Sequence, residues 1–303
     1  MRTRIHFDRV GPLTTVQDSG RAGLLAAGIS ASGPMDRGAF ERAGRRAGAV
    51  AGAGIEFTAA GLELHVTTGE TDMGWDGGQF GIARNGAALT WPGSARLVAG
   101  DRLAITPGAA GNYGYLRFGG ALALPPVLGS LATSTRARLG GLEGRGLRAG
   151  DVLTVQGEGR GRGLAAVLGQ VPAEDGPIRF IWGLHAEHFS RDVRQAFLEA
   201  PFRVTSVMDR MGVRLRDERG VFADRAILSL VSEPVLAGDI QILGDGTPIV
   251  LMRDHQPTGG YPRIGIIIAA DLDRFAQLRP GTPVVFAPVS VDHAHRLLRS
   301  DRS

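Results

Sequence analysis

A dense cluster of polar and glycine residues occupies positions 252–262, directly after a run of apolar residues. Strand ends hold polar side chains rigidly, so Asp254 and His255 are candidate acid and base groups. Gly259 and Gly260 allow close approach to the backbone, and their adjacent N–H groups could bind a carboxylate or an oxyanion. An ordinary polar hairpin turn with a Gly-Gly corner is the alternative interpretation. The candidate catalytic residues of this segment are Asp254, His255, Thr258 and Tyr261.

A second polar segment lies near the N-terminus, in residues 14–21 and 30–36. Hydroxyl groups, carboxylates and an arginine surround glycines there, a set that suits an anionic or amide substrate. Asx and ST turns explain the same residues without any ligand. The candidate substrate-binding residues of this segment are Gln17, Asp18, Arg21, Ser32 and Asp36.

A third candidate is the adjacent pair Asp209 and Arg210. Neighbouring residues of a strand face opposite sides, so these two side chains need different partners. Arg210 could hold a substrate carboxylate, and surface polarity is the alternative interpretation. With Gly259 and Gly260, the pair completes the candidate substrate-binding set. We expect the three segments to line one common cleft.

The 303 residues include neither cysteine nor lysine. All 34 residues counted as lysine or arginine are arginine. The lack of cysteine excludes thiol nucleophiles, disulfides and cysteine-ligated metal centres. The lack of lysine excludes a pyridoxal Schiff base, a P-loop lysine and a biotinyl-lysine on this chain. Two pairs of nearby histidines do not give three ligands at a zinc spacing, so no metal site is predicted. They are His185, His188, His293 and His295.

Charge and hydropathy favour a cytoplasmic protein. The formal net charge is +4, and arginines are interspersed with acids, which argues against nucleic-acid binding. The N-terminus lacks the apolar segment of a signal peptide, and no uncharged apolar run is long enough to span a membrane. We therefore expect neither a nucleic-acid nor a membrane partner.

Glycine frequency and apolar patterning predict a mainly β protein, α+β with few helices. Glycine makes up 46 of the 303 residues, about twice its usual share, and it is scattered between short apolar runs. Period-two alternation predicts strands at residues 62–66 and 178–182. Continuous apolar runs predict further buried strands at residues 227–231, 249–252, 264–270 and 284–289.

Turn and cap residues divide the chain further. An Ala-Gly-Asp triplet occurs at residues 99–101, 149–151 and 237–239, each time before an apolar stretch, and predicts a turn that enters a strand. Asp36, Ser190 and Asp271 are predicted helix caps. A glycine- and charge-rich stretch predicts the boundary between lobes. We place an N-terminal lobe at 1–160, a connector at 161–176 and a C-terminal lobe at 177–303.

Several short motifs, taken together, resemble one family along nearly the whole chain. The family includes proteins called 5-oxoprolinase C subunit, allophanate hydrolase subunit 2, KipA-like antagonist and biotin-dependent carboxyltransferase. The resemblance implies cyclophilin-like β-barrel lobes. The matching motifs are residues 11–18 with 20–21, 32–36, 126–130, 139–145, 206–212, 258–262 and 278–281.

The resemblance also implies a reaction and partners. The leading expectation is ATP-dependent opening of 5-oxoproline to glutamate by a hydrolase subunit that is inactive alone. Its partners would be a B-like subunit (KipI, or allophanate hydrolase subunit 1) and an A-type subunit (LamB/YcsF-like). ATP is the expected cofactor, bound by this chain or by a partner, with no cofactor attached covalently here. The alternatives are a carboxyltransferase-type module acting on urea or another amide, and a non-catalytic KipA-like regulator.

Overall fold

A computed structural model describes residues 2–49, 51–157, 176–223 and 230–300. The described residues form two compact units, one of residues 2–23 and 31–157 and the other of residues 24–30 and 176–300, less the gaps just given. All but one residue of the predicted connector, together with most of the predicted strand 227–231, lies outside the described residues. The predicted lobe boundaries stay a prediction.

The first unit is built mainly from strands, joined by one helix. Its elements are β1 (Arg2–Val10), β2 (Thr15–Gln17), α1 (Arg37–Arg46), β3 (Gly54–Thr58), β4 (Leu62–Thr68), β5 (Glu70–Gly77), β6 (Phe80–Arg84), β7 (Ala87–Ala88), β8 (Gly93–Val98), β9 (Arg102–Pro107), β10 (Tyr113–Phe118), β11 (Ala121–Leu122) and β12 (Val152–Gln156).

These strands form a seven-stranded sheet in the order β11-β12-β1-β4-β9-β6-β7 and a five-stranded sheet in the order β2-β3-β10-β5-β8. Alternation along β1 and β4 sends one set of side chains into the apolar core, where Phe7 and Leu64 are fully buried. The opposite set, which includes His6 and His65, stays partly exposed. One face of this sheet is therefore available for polar chemistry.

Helix α1 lies directly against β5 and β10 of the five-stranded sheet. A Cβ at Gly74 of β5 would stand 2.2 Å from the carbonyl oxygen of Ala43, so only glycine permits this close approach. Arg117 of β10 donates to the carbonyl oxygens of Phe40 at 3.3 Å and Ala51 at 2.9 Å. Burial lowers the pKa of Arg117 to about 10.

The second unit contains the remaining strands and three helices. Its elements are β13 (Ile178–Trp182), α2 (Arg191–Glu199), β14 (Phe202–Met208), β15 (Gly212–Asp217), β16 (Glu233–Pro234), β17 (Asp239–Ile242), β18 (Pro248–Leu251), β19 (Thr258–Gly259), β20 (Arg263–Ile267), α3 (Ala269–Ala276), β21 (Pro283–Val284), β22 (Phe286–Pro288) and α4 (Val291–Ser300).

Eight of these strands form a nearly closed barrel in the order β21-β14-β15-β18-β17-β20-β13-β22. The two edge strands, β21 and β22, are separated in the chain by Val285 alone, so the two edges of the sheet must lie side by side. Phenylalanine rings fill the interior, with Phe197 5.5 Å from Phe180 and 5.0 Å from Phe286 between ring centroids. This confirms the mainly β fold with a barrel lobe.

The three Ala-Gly-Asp triplets adopt the same turn, as the sequence predicts. In each turn the aspartate carboxylate accepts a hydrogen bond from the backbone N–H of the residue three positions earlier. Asp101 accepts from Val98 at 2.8 Å, Asp151 from Arg148 at 2.8 Å and Asp239 from Leu236 at 2.9 Å. The central glycines have φ of 94, 91 and 97°, a region that favours glycine. The aspartate precedes or opens β9, β12 and β17, so these are strand-entry turns.

Two of the three predicted helix caps are confirmed. Asp36 accepts from the N–H of Ala39 to cap α1, and Ser190 accepts from Val193 to cap α2. The third prediction is wrong, because α3 begins at Ala269 and Asp271 lies inside its first turn. The Asp271 carboxylate instead binds the Arg179 side chain.

Two of the predicted buried strands are shorter than the apolar runs suggested. The run 264–270 leaves the sheet after β20 to enter α3, and the run 284–289 is divided between β21 and β22. The first difference arises because apolar composition does not distinguish a strand from a buried helical turn. The second arises because the chain changes its pairing partner at Val285, from β14 to β13. Among the described residues, no helix combines the length and the apolar character needed to cross a membrane.

Candidate functional site

Arg210 and Asp254 form a buried ion pair in the second unit. Arg210 lies in the turn between β14 and β15, and Asp254 follows β18, which pairs with β15. The guanidinium donates from Nε at 2.9 Å and from Nη2 at 3.2 Å to the two carboxylate oxygens. The N–H of Asp254 also donates to the carbonyl oxygen of Arg210 at 2.7 Å. The structure thus brings together two of the three predicted segments.

Asp209, the predicted neighbour of Arg210, shapes the same turn. Its carboxylate accepts from the N–H groups of Met211 at 2.7 Å and Gly212 at 3.1 Å. These contacts form an Asx turn, which is the local role that this residue type often has. The carboxylate of Asp209 therefore stabilises the turn that contains Arg210.

His255 is the candidate base that follows Asp254. The residue is 6% exposed, and its Nδ1 lies 2.7 Å from the carbonyl oxygen of Gln256. A carbonyl oxygen only accepts, so Nδ1 carries the proton and Nε2 is left as the proton-accepting nitrogen. Arg253, on the other side of Asp254, pairs with Asp273 at 2.8 Å.

The Thr258–Gly259 strand pairs with β16 and forms a short polar ribbon. The N–H of Leu230 donates to the carbonyl oxygen of Gly260 at 2.6 Å, which fixes the ribbon's end. Thr258 is exposed, and Tyr261 is 39% exposed. The two hydroxyl-bearing candidates are therefore accessible, whereas Asp254 and His255 are buried.

Gln241 is a further candidate site residue, which the sequence did not indicate. It lies in β17, is 1% exposed, and its Nε2 has no hydrogen-bond partner among the described residues. A Cβ built on Gly259 would stand 2.6 Å from this nitrogen, so the amide faces the glycine of the ribbon. The sequence feature that could have indicated Gln241 is a single amide between two isoleucines, Ile240 and Ile242. Buried polar groups without partners are uncommon and mark places where a ligand can bind.

Arg263 organises the other side of this ribbon. Its guanidinium donates to Glu233 at 2.6 Å and lies 3.5 Å from Asp239. Burial raises the pKa of Asp239, although Arg263 and the N–H of Leu236 oppose that rise. Burial, followed by the charge of Arg263, lowers the pKa of His185, whose Nδ1 accepts the N–H of Arg263 at 3.2 Å.

In the first unit, Gln17 and Asp18 hold loops around β2. Gln17 donates to the carbonyl oxygen of Thr133 at 3.1 Å and accepts the N–H of Gly33 at 3.1 Å. Asp18 accepts from Ser130 Oγ at 2.6 Å, from the N–H of Leu131 at 2.6 Å and from the N–H of Gly20 at 2.9 Å. These contacts support the Asx-turn alternative, and substrate binding by either residue stays a prediction.

Arg21, Ser32 and Asp36 lie in the same unit. Arg21 is 3% exposed and donates to the carbonyl oxygen of Ala132. Ser32 is 1% exposed with φ of 56°, and its hydroxyl has no hydrogen-bond partner in the part of the chain that is described. Asp36 caps α1, as described above. Of the three, Ser32 keeps a functional group available for a ligand.

Glu56 and Tyr115 complete this polar cluster and were also missed. Glu56 is fully buried and accepts from the N–H of Met35 at 2.7 Å and from the Tyr115 hydroxyl at 3.0 Å. That hydroxyl accepts in turn from the N–H of Asp36 at 2.8 Å. Burial, then the negative charges of Glu56 and Asp36, raises the pKa of Tyr115 well above its ordinary value. A glutamate inside the apolar strand β3 was the sequence signal.

The predicted residues thus fall into two clusters, one in each unit. Gln17, Asp18, Arg21, Ser32 and Asp36 belong to the first unit, and the residues from Asp209 to Tyr261 belong to the second. The expectation that both line one cleft stays a prediction.

Comparison with known proteins adds close relatives. The chain is 36% identical to the C subunit of 5-oxoprolinase from Escherichia coli K12, over 94% of this chain and 91% of that protein. It is 32% identical to the C subunit of 5-oxoprolinase from Haemophilus influenzae, over 95% and 92%. These alignments span nearly the full length of both relatives.

Larger proteins contain a similar region. The urea carboxylase structure from Kluyveromyces lactis matches with a TM-score of 0.87 and 27% identity, covering 99% of this chain and 28% of that chain. Other solved chains match with a TM-score of 0.83, and this chain spans 56% of their length. Residues 27–288 match the model of the carboxyltransferase domain, subdomain A and B. The chain belongs to this carboxyltransferase domain family.

Proposed function

We propose that this chain is one subunit of an ATP-dependent enzyme that opens 5-oxoproline to glutamate. The observation that carries this proposal is the similarity to two proteins named as the C subunit of 5-oxoprolinase, over more than nine-tenths of each length. The urea carboxylase and amidolyase relatives are several times longer than this chain. The two C-subunit relatives correspond to this sequence along nearly their whole length, which favours their reaction over that of the longer relatives.

The polar ribbon is the proposed substrate site. 5-Oxoproline carries a carboxylate and a cyclic amide, so it needs donors for both oxygen-bearing groups. Gln241 supplies a buried N–H donor beside Gly259, where the backbone can be approached closely. His255 offers Nε2 as a proton acceptor, and the Arg210–Asp254 pair holds the segment that carries it. Water adds to the amide carbonyl as the ring C–N bond breaks, and the nitrogen takes a proton.

Partner subunits are part of the proposal. The chain has no lysine to serve a P-loop, so we assign the ATP site to a B-like or A-like partner. In this arrangement the present chain binds the cyclic amide, and the complete assembly couples ring opening to ATP hydrolysis. We place this assembly in the cytoplasm.

Copurification followed by a turnover assay tests the proposal. The tagged chain should retain a B-like partner, and the complex with both partners should release ADP in the presence of 5-oxoproline. The chain alone should show no turnover above a mock preparation. Gln241→Leu should lower turnover at least tenfold while the complex still assembles. Steady turnover by the isolated chain, or no dependence of the assembled complex on 5-oxoproline, would contradict the proposal.

A carboxyltransferase module is the second candidate function, favoured by the structural match to urea carboxylase. In that case the chain would accept a carboxyl group from carboxybiotin carried by another protein, since it has no biotinyl-lysine. Transfer of labelled carboxyl from a biotinylated carrier to urea, in the absence of 5-oxoproline, would support this alternative over the first.

A further inference from the structure

A histidine-aspartate cluster lies on the partly exposed face of the seven-stranded sheet. His6 of β1 and His65 of β4 stand directly opposite each other in the antiparallel pair. Asp8 is the extra residue at an irregularity of this pair, since Phe7 pairs with Leu64 and Arg9 with Glu63. Its carboxylate lies 3.1 Å from His6 Nδ1 and 2.8 Å from His65 Nδ1. No motif of the candidate functional site includes these residues.

We propose that His6, Asp8 and His65 form a binding site for a divalent transition-metal ion, with Zn²⁺ as the reference ion. One ligand atom from each residue can be chosen so that all lie within 4.8 Å of one another. Ligand bonds of about 2.0–2.2 Å place neighbouring ligand atoms of one ion about 3–3.5 Å apart. Small side-chain rotations therefore suffice to surround an ion.

The ligand types fit this class of ion and disfavour the common alternatives. Two imidazoles and one carboxylate suit zinc, copper, iron and nickel, whereas calcium and magnesium prefer oxygen ligands throughout. The three side chains are 31%, 27% and 23% exposed for His6, Asp8 and His65. The site is thus open on one side, where water or a further ligand completes the coordination.

Arg102 is the charged neighbour that opposes a cation. Its Nη1 lies 3.6 Å from an Asp8 oxygen, but its side chain is 70% exposed and can turn into solvent at small cost. Glu63 lies on the same face and pairs with Arg9 at 2.8 Å.

Calorimetric titration of the purified full chain with Zn²⁺, after removal of any affinity tag, tests this site. We expect one ion per chain. His6→Ala and His65→Ala should each weaken binding at least tenfold, and Asp8→Asn should weaken it as well. Arg102→Gln should tighten binding, because it removes a positive charge from beside the ion. The matched control, His185→Ala with His188→Ala, removes a second pair of neighbouring histidines and should leave binding unchanged.

Co²⁺ provides an independent readout, since its visible absorption reports bound nitrogen ligands. That absorption should appear with the parent chain and disappear with His65→Ala. Thermal unfolding of each variant without metal shows whether that variant is folded. Arg102→Gln tests the site without removing any of its three ligands. Absence of stoichiometric Zn²⁺ binding, or binding that survives loss of both His6 and His65, would overturn the proposal.

Discussion

The Arg210 guanidinium holds the Asp254 carboxylate through two hydrogen bonds, with side chains only 4% and 5% exposed. The pair joins the turn after β14 to the loop after β18. Each charge neutralises the other, so Arg210 is committed to a protein carboxylate in this structure. Its main effect is to hold the segment that leads to His255 and the polar ribbon.

Removal of one member of this pair should destabilise the second unit strongly. Arg210→Met or Asp254→Asn should each lower the free energy of unfolding by about 3–5 kcal/mol, because a buried partner is left without its counter-charge. The double variant Arg210→Met, Asp254→Asn should lose less stability than the sum of the two single losses, because neither charge is then left unpaired. Urea unfolding measures all three, and equal, additive losses would show that the two side chains do not interact.

The two glycines of the ribbon should respond differently to alanine. At Gly259 the new Cβ meets the end of the Gln241 side chain, whereas at Gly260 it meets the backbone carbonyl of Leu230 at 2.8 Å. Gly259→Ala should therefore keep the stability of the parent and lose turnover in the assembled complex. Gly260→Ala should lower stability by about 1–3 kcal/mol, since backbone must move.

Thermal unfolding and ADP release measure these two effects separately. A stable, fully active Gly259→Ala complex would show that the Gln241 amide takes no part in substrate binding. Larger residues at Gly260, such as valine, act on folding as well as on activity, so Gly259 is the better position for testing the site.

Tyr115→Phe tests the buried cluster of the first unit. The change keeps the ring but leaves the Glu56 carboxylate without one donor and the N–H of Asp36 without its acceptor. We expect a loss of about 1–3 kcal/mol of stability. Tyr261→Phe is the matched control, because it removes the same hydroxyl from an exposed position. Equal denaturation midpoints for both variants would contradict this prediction.

Asp151 should make stability depend on acid pH. Hydrogen bonds from Arg145 lower the pKa of this carboxyl, burial opposes them, and the N–H of Arg148 lowers it further. The pKa of Asp151 is thus lower in the folded chain than its ordinary value of 3.8. Such a carboxyl stabilises the folded chain fully at pH values above 3.8, and this stabilisation is lost as the pH falls through the pKa of the folded state.

Asp151→Asn should therefore cost about 1–2 kcal/mol at pH 7, and this difference should shrink towards zero in strong acid. Chemical unfolding at a series of pH values measures it. Glu187→Gln, which changes an exposed carboxylate, is the control and should have little effect at any pH. A difference between the parent and Asp151→Asn that stays constant down to the lowest pH would contradict the assignment.

Local patterns in the sequence were sufficient for several strands, such as β4 and β13, for the strand-entry turns and for two helix caps. Each of these depends on residues a few positions apart, such as Asp101 and the N–H of Val98, so the sequence contains the whole interaction. The Asp271 cap failed for the complementary reason. Its carboxylate binds Arg179, which is far away in the chain and close only across the folded barrel.

The sequence by itself determined the family, the mainly β character and the short segments where polar chemistry is concentrated. Only the tertiary structure decided which distant groups the polar side chains contact. In the folded chain Arg210 pairs with Asp254, and Gln17 and Asp18 form hydrogen bonds to distant loops. It also revealed Gln241 and placed His6 opposite His65. These contacts join residues distant in sequence, and strand register, which local patterns do not encode, decides which of them meet.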